Sequence, residues 1–304
     1  MNLVEVDFNQ KRNKIPELLF GHFIEHWGRC INFDGICAEM LINNKFEDIP
    51  GSNYYCTGVA FPWELTKFSW GVGYSIDKLI YKTGNSSQLI DKKNGNQYYY
   101  GICQKVWVEK NKTYNIRITL KTNKVGIKVR LAFTDSKEKE VYGQNELKVD
   151  SPLWETHNIQ ITSSAYDRNA RFSISIKDTA RLWIDFVSLM EAEHINTCRR
   201  DLVEKIRDIK PSIIRWPGGW FADHYHWRDG IGPVEERPTR VRRELSPIEP
   251  NNFGTDECET GGRFSCLKRQ ENRPPVFQIG INLWQLSRED IYRRSCQSNE
   301  RENG

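Results

Sequence analysis

The sequence predicts two architectures in one chain: an α/β barrel segment and, inserted in it, an all-β sandwich. Three observations carry this. Residues from about 51 to 191 lose helical periodicity and read as short alternating strands separated by turn residues. Residues 196–219 read as helix, proline break, buried strand and loop, one unit of a parallel α/β fold. Residues 18–31 read as a strand whose C-terminal end gathers His22, Glu25, His26 and Arg29 beside Trp27. In α/β barrels that end of a strand carries the chemistry. A chain of 304 residues has room for one large or two medium domains.

The first segment opens on Met1-Asn2-Leu3-Val4-Glu5-Val6-Asp7, which alternates apolar and polar like a strand. After the strand at 18–31, residues 35–47 read as a short helix running into a loop. His22 and His26 stand four apart, but a third ligand and the HExxH order are missing, so no metal is expected. Glu25 is either a site residue or a solvated surface carboxylate.

The middle segment offers strands at 97–102, 105–108, 113–120, 125–131, 157–161, 171–176 and 182–187. Turn clusters at 84–87 and 94–96 punctuate them. Trp63, Trp70, Trp107 and Trp154 are candidate stacking faces for a sugar, with core packing as the competing role.

The last ordered pattern starts at Asn196-Thr197, which can cap a helix over 199–209. Leu202, Val203, Ile206 and Ile209 fall on one face of it. Lys210-Pro211 stops the helix, and a strand at 212–215 runs into Trp216-Pro217-Gly218-Gly219. Aromatic, His, Asp and Arg side chains then crowd residues 220–229. Flat aromatic faces beside hydrogen-bonding groups suit a sugar, which offers C–H faces and hydroxyl edges. A structural turn over an aromatic cluster is the competing reading.

Charge and composition exclude other classes. Lys and Arg (44) are interspersed with Asp and Glu (40), and a net charge of +4 gives no nucleic-acid footprint. No apolar run approaches the ~18 residues of a membrane span. The start lacks the basic and apolar regions of a signal peptide, so a cytoplasmic protein is expected. The eight cysteines show no CxxC pair and no zinc spacing, which fits free thiols in a reducing compartment.

Several motifs occur together: Gly21-His22-Phe23-Ile24-Glu25-His26-Trp27-Gly28-Arg29-Cys30-Ile31, Arg215-Trp216-Pro217-Gly218-Gly219, Tyr225-His226-Trp227-Arg228-Asp229-Gly230-Ile231-Gly232-Pro233, Arg237-Pro238 and Asn252-Phe253-Gly254-Thr255-Asp256-Glu257. In this order they make the sequence resemble the α-L-arabinofuranosidases of glycoside hydrolase family 51. The resemblance covers 1–50 and 192–257 as barrel. It makes 51–191 similar to the jelly-roll, carbohydrate-binding-module-like β-sandwich inserted in larger members. It implies a (β/α)8 TIM barrel that removes terminal α-L-arabinofuranosyl groups from hemicellulose or pectin with retention. It also implies no cofactor, an arabinose-containing polysaccharide or oligosaccharide as partner, and a possible homo-oligomer. Glu25 would hold sugar hydroxyls, with Trp220, Tyr225, His226 and Trp227 shaping the substrate pocket. Trp220 stands where the family commonly carries a small polar residue.

Retention needs two carboxylates ~5–5.5 Å apart, a nucleophile and a general acid/base. The family places both on later barrel strands, the acid/base in an Asn-Glu pair. After Glu257 the sequence changes character: residues 258–304 hold Lys268 against Arg263, Arg269, Arg273, Arg288, Arg293, Arg294 and Arg301. That stretch reads as a shifted reading frame or other artefact, with a divergent tail as the alternative. A segment at 276–286 can still form a strand. Asn299-Glu300 has no strand before it and is not taken as the acid/base. Glu39, Asp223, Asp229, Glu235 and Glu236 have only their nearness to loops. The expectation is a hydrolase by family that lacks its catalytic Glu pair, an inactive N-terminal fragment whose open barrel leaves an edge strand exposed. The competing expectations are a carbohydrate-binding protein working through the sandwich alone, and a structural protein.

Overall fold

A computed structural model describes residues 13–49, 57–212, 214–241, 248–254, 257, 263–266 and 279–282. The fold is mostly β. A 3-10 turn, Glu17–Phe20, leads into the short strand β1, His22–Phe23. The expected strand is shorter than its apolar run because Leu19 donates its N–H to Pro16 O at 3.0 Å and winds the chain there.

Ten strands follow: β2 Glu64–Leu65, β3 Val72–Asp77, β4 Ser87–Lys92, β5 Tyr100–Val108, β6 Thr113–Thr122, β7 Ile127–Thr134, β8 Val141–Val149, β9 Glu155–Thr162, β10 Asp167–Ile176 and β11 Ala180–Glu191. They make two five-stranded antiparallel sheets, ordered β2-β5-β10-β7-β8 and β3-β4-β11-β6-β9. Inward-facing residues of both sheets fill one core, including Ile102, Leu131, Phe133, Phe172 and Ile174 from one and Ile116, Ile118, Leu120, Leu182 and Ile184 from the other. The sandwich read from alternation is therefore present.

Its details differ in three ways. The runs at 97–102 and 105–108 are one strand, because Cys103 and Gln104 stay paired with Ser173 and Phe172. Strand β8 shows little apolar alternation because it is an edge strand, paired to β7 and largely exposed. Strand β4 buries polar residues such as Gln88 and Lys92, and β3 buries only Val72, which hides the period of both.

Residues 35–47 form no helix. They run as bends, with Asn43 and Phe46 at positive φ. The sandwich supplies their hydrogen bonds instead: Met40 N–H to Leu189 O at 3.0 Å, Val187 N–H to Asn44 O at 2.9 Å, and Ile42 N–H to Gln104 Oε1 at 2.7 Å. Leu41 and Phe46 then enter the sandwich core. Tertiary partners override local helix propensity here.

Helix α1 spans Arg200–Ile209. Asn196 and Thr197 do not cap it; both have positive φ, and the N-cap is Arg199 without a side-chain cap bond. Lys210, left-handed at φ 54°, ends it as expected. Val203 and Ile206 pack on a second core of Ile31, Ile36, Cys37, Cys198, Trp216 and Phe253. Ile209 is 60% exposed and lies off that contact. Strand β12, Ile214–Arg215, then pairs in parallel with β1, His22 opposite Ile214 and Phe23 opposite Arg215.

Beyond it lie the short helix α2, Trp220–His224, and 3-10 turns Trp227–Gly230 and Val234–Glu236. Strands β13 Arg240–Val241 and β14 Ile248–Glu249 pair antiparallel, as do β15 Arg263–Cys266 and β16 Ile279–Asn282. The opening strand at 1–7, Ile213 and most of 258–304 lie outside the described residues. Among the described residues no helix is long and apolar enough to cross a membrane, and Cys30, Cys37, Cys103 and Cys198 are free thiols.

Two buried charges tie the 35–47 segment to its neighbours. The Lys45 ammonium donates to Arg237 O at 2.8 Å and Pro250 O at 2.6 Å, and burial pushes its pKa down to about 7. Glu39 Oε1 accepts the N–H groups of Leu41 (3.0 Å) and Leu189 (3.1 Å), and burial pushes its pKa up to about 7. A carboxyl whose folded pKa is raised contributes stability that is full below about 4.5 and is lost as pH rises through about 7. Urea denaturation at pH 5 and pH 8 should therefore show the natural chain losing stability relative to Glu39→Gln. Equal pH slopes in the two proteins would contradict a buried, ionising Glu39.

Candidate functional site

The parallel pair β1/β12 brings two loop starts together. Glu25 and His26 follow β1; Trp216, Pro217, Gly218 and Gly219 follow β12. The ladder continues past the strands, since Ile24 N–H donates to Arg215 O at 2.9 Å. Glu25 Oε2 then accepts the Gly219 N–H at 2.8 Å. Gly218 sits at φ +124°, and a Cβ there would lie 2.2 Å from both Cβ and Oε2 of Glu25. Only glycine lets the turn approach this closely. Among the described residues Glu25 Oε1 has no hydrogen-bond partner, so one oxygen of this half-buried carboxylate is unengaged.

Under the turn lies an aromatic floor. His26 stacks on Phe221 with centroids 4.1 Å apart at 10°. Trp216 meets Tyr225 edge-on at 5.2 Å and Phe253 at 6.2 Å. The His26 ring N–H at Nδ1 donates to Glu249 Oε2 at 2.8 Å, both side chains being buried. Asn32 Nδ2 and the Asn251 N–H complete the shell of Glu249.

A second buried pair braces the next loop. Arg237 forks onto Glu257 at 2.6 and 2.9 Å, and also donates to Gly232 O and Asn251 O. Gly254 N–H donates to the same Glu257 carboxylate at 2.8 Å. Such a pair is costly to break from one side, since the orphaned charge stays buried.

The expected site residues are placed unequally. Glu25 lies on the glycine turn. Tyr225 is half-buried within the aromatic floor, 6.0 Å from the His26 ring. His226 is exposed and precedes the 3-10 turn; Trp227, on that turn, has the Arg228 guanidinium 5.3 Å over its ring. Trp220 begins α2, and its side chain lies outside what is described, as does that of Asp223.

Three of the remaining carboxylates near the loops are engaged. Asp229 pairs with Arg240, Glu235 with Arg117, and Glu39 with backbone amides, while Glu236 is exposed. Among the described residues no group of three or more His, Cys, Asp and Glu could hold a metal ion. Sequence reading missed Glu249 and the Asn32 contact. His26 and Glu249 are 223 positions apart, and no local period announces such a pair.

The strand-end turn thus sets a half-buried carboxylate beside a cluster of packed aromatic rings. Comparison with known proteins finds similar sequences and a similar fold. The family model described as the alpha-L-arabinofuranosidase 1 domain matches residues 205–260. Alpha-L-arabinofuranosidase 1 of Arabidopsis thaliana is 26% identical over 248 residues, covering 74% of this chain and 35% of that protein. An intracellular exo-alpha-L-arabinofuranosidase of Bacteroides ovatus is 44% identical over 86 residues, 27% of this chain and 16% of that protein. An arabinose-bound family 51 α-L-arabinofuranosidase structure superposes with a TM-score of 0.68 at 18% identity, over 80% of this chain and 42% of that one. The chain thus resembles these enzymes in sequence and shares that fold, and its matches span about a third or less of the length of those two curated relatives.

The glycine turn is directly testable. Gly218→Ala should lower the unfolding free energy by about 2 kcal/mol or more, through the left-side φ and the contact with Glu25. Urea denaturation of the two proteins measures it. An unchanged midpoint would show that Glu25 does not sit against this turn.

Proposed function

We propose that this chain forms the arabinose-facing rim of an α-L-arabinofuranosidase. In this reading β1 and β12 are neighbouring strands of a (β/α)8 barrel, with 1–50 and 192–257 as barrel, 51–191 as the inserted sandwich and 258–304 as an aberrant tail. The observation that carries it is Glu25, which is held by Gly219 N–H through one oxygen and open through the other. A fixed carboxylate of this kind accepts hydrogen bonds from sugar hydroxyls and sets the ring's orientation. Tyr225, His226 and Trp227, which follow α2, extend the rim, and Trp220 at the start of α2 is the fourth residue assigned to it. The substrate class is terminal α-L-arabinofuranosyl groups on hemicellulose or pectin, released with retention.

Retaining hydrolysis asks for two free carboxylates ~5–5.5 Å apart. Around the rim, Glu249 is saturated by His26, Asn32 and Asn251, and Glu257 by Arg237 and Gly254. Neither is placed to attack a sugar or to give it a proton. The described residues therefore supply orientation rather than the acid/base and nucleophile, and residues 1–304 bind the sugar without turning it over.

The test uses 4-nitrophenyl α-L-arabinofuranoside. Residues 1–304 should bind it and release no nitrophenol above the blank, and Glu25→Ala should weaken binding by about tenfold, the scale of one charge-assisted hydrogen bond. Binding unaffected by Glu25→Ala would overturn the rim. Turnover that disappears in a Glu→Gln variant of this chain would overturn the non-hydrolytic reading.

A further inference from the structure

The chain enters the sandwich through residues 35–47 and leaves it after β11. A cysteine stands at each crossing. Cys37 and Cys198 are partners in an isolated antiparallel bridge. Ala38 N–H donates to Thr197 O at 2.7 Å on one side of it, and Arg199 N–H to Ile36 O at 2.8 Å on the other. These bonds belong to the flanking residues, so the two cysteines face each other as a non-hydrogen-bonded pair, the register that brings Cα atoms to ~4.5 Å. A disulfide needs Cα atoms ~4.4–6.8 Å apart. We propose that Cys37 and Cys198 are a redox-modification site, two thiols set to join across the neck of the sandwich when a small-molecule disulfide oxidises them.

Both partners are held before any oxidant arrives. Ile195 and Cys198 exchange N–H···O bonds at 2.8 Å each way, closing a two-residue turn on Asn196 (φ 47°) and Thr197 (φ 61°). Positive φ at both central residues is a hairpin form of such a turn, and it fixes the backbone of Cys198. On the facing segment Cys37 N–H donates to Ile31 O at 2.9 Å and Ile36 N–H to Cys30 O at 3.1 Å. The two side chains share one side of the bridge, since both enter the core with Ile31, Ile36, Trp216 and Phe253. Joining sulfurs there asks for side-chain rotation rather than backbone movement.

A reagent can reach the pair from one side. Cys37 lines a cavity of about 360 Å³ at the seam between α1 and the sandwich, with Glu39, Trp107, Glu191, His194 and Arg199 among its walls. Cys198 lies behind it, 7% exposed. Cys37 therefore reacts first. Its thiolate attacks one sulfur of the small disulfide, breaks that S–S bond and releases one small thiol. The Cys198 sulfur then attacks the Cys37 sulfur of this mixed disulfide and displaces the second small thiol. The two cysteine protons end on the two released thiols; the protein loses two electrons and the reagent gains them. Seven carboxyl and three cationic side chains line the cavity, so a cationic disulfide enters more readily than an anionic one. Burial pushes both thiols up, Cys198 to about 12, which keeps thiolate scarce and the exchange slow. The bond closes a loop that contains every strand of the sandwich. A long closed loop restricts the unfolded chain most, so the joined protein is the more stable one.

Incubating the full chain with cystamine, a cationic small disulfide, tests the site. Unreacted thiols are then alkylated in denaturant and the digested chain is mapped by mass spectrometry. The Cys37 and Cys198 peptides should be found joined, two hydrogens lighter than the free pair. The treated chain should melt at least about 5 °C higher, and dithiothreitol should reverse both changes. Anionic oxidised glutathione should form the same link several-fold more slowly. Cys198→Ala should stop at the mixed disulfide on Cys37 and gain no thermal stability from the treatment. The proposal is overturned if both cysteines are recovered alkylated after a day in millimolar cystamine, if either is joined to a different cysteine, or if the joined chain melts no higher. Equal rates with the two reagents would overturn the cavity as the route. The mass map is made on the natural chain, so it decides even where Cys198→Ala fails to fold.

Discussion

The bond from Gly219 N–H to the Glu25 carboxylate is the constraint on which the rest of the site depends. It closes a contact between residues 194 positions apart. The contact exists only because β1 and β12 run in parallel and because Gly218 has no side chain. A parallel neighbour cannot be reached by a tight turn; it needs a long crossover. Here the crossover contains an entire sandwich and helix α1. Once the two strand ends are joined, His26 falls onto Phe221 and Trp216 onto Tyr225, and the aromatic floor follows.

The sandwich is fastened to this site rather than hung from it. Residues 35–47 leave β1's loop, lay Leu41 and Phe46 into the sandwich core, and send Lys45 onto the carbonyls of Arg237 and Pro250. Those carbonyls belong to the same stretch that carries Arg237 against Glu257 and Glu249 against His26. The Arg117–Glu235 pair adds a second strap from β6. The exposed pair contributes little by itself. The buried groups matter more, because each would cost heavily if left alone in the interior.

Much of this was legible in the sequence where residues speak locally. The alternation in β6, β7, β10 and β11 announced a sandwich, Lys210-Pro211 announced the helix stop, and Gly218-Gly219 announced the turn. Glu25 stood out because its motif is long and its order relative to the glycine turn is right. What stayed hidden depends on partners distant in sequence. Residues 35–47 looked helical because their hydrogen bonds to Leu189, Asn44's partner Val187 and Gln104 cannot be seen along the chain. The Asn196-Thr197 cap was displaced to Arg199, whose guanidinium grips Asp201 and Asp34 O. Glu249 carries no local signal in the sequence, and only the fold puts His26 and Asn32 around it. Tyr225, read as a pocket residue, turns out to share its ring with the floor. Residues 258–304, read as aberrant, show only the ribbon β15/β16 among the described residues.

The central claim is that Glu25 is locked onto the turn by one oxygen and offers the other to a sugar. Amide hydrogen exchange at Gly219, read by NMR, tests it most directly. The account predicts a protected Gly219 amide in the natural chain, at least about tenfold faster exchange in Glu25→Ala, and further slowing in the natural chain when an α-L-arabinofuranoside is added. A Gly219 amide that exchanges at the same rate in both proteins, with or without the sugar, would contradict it.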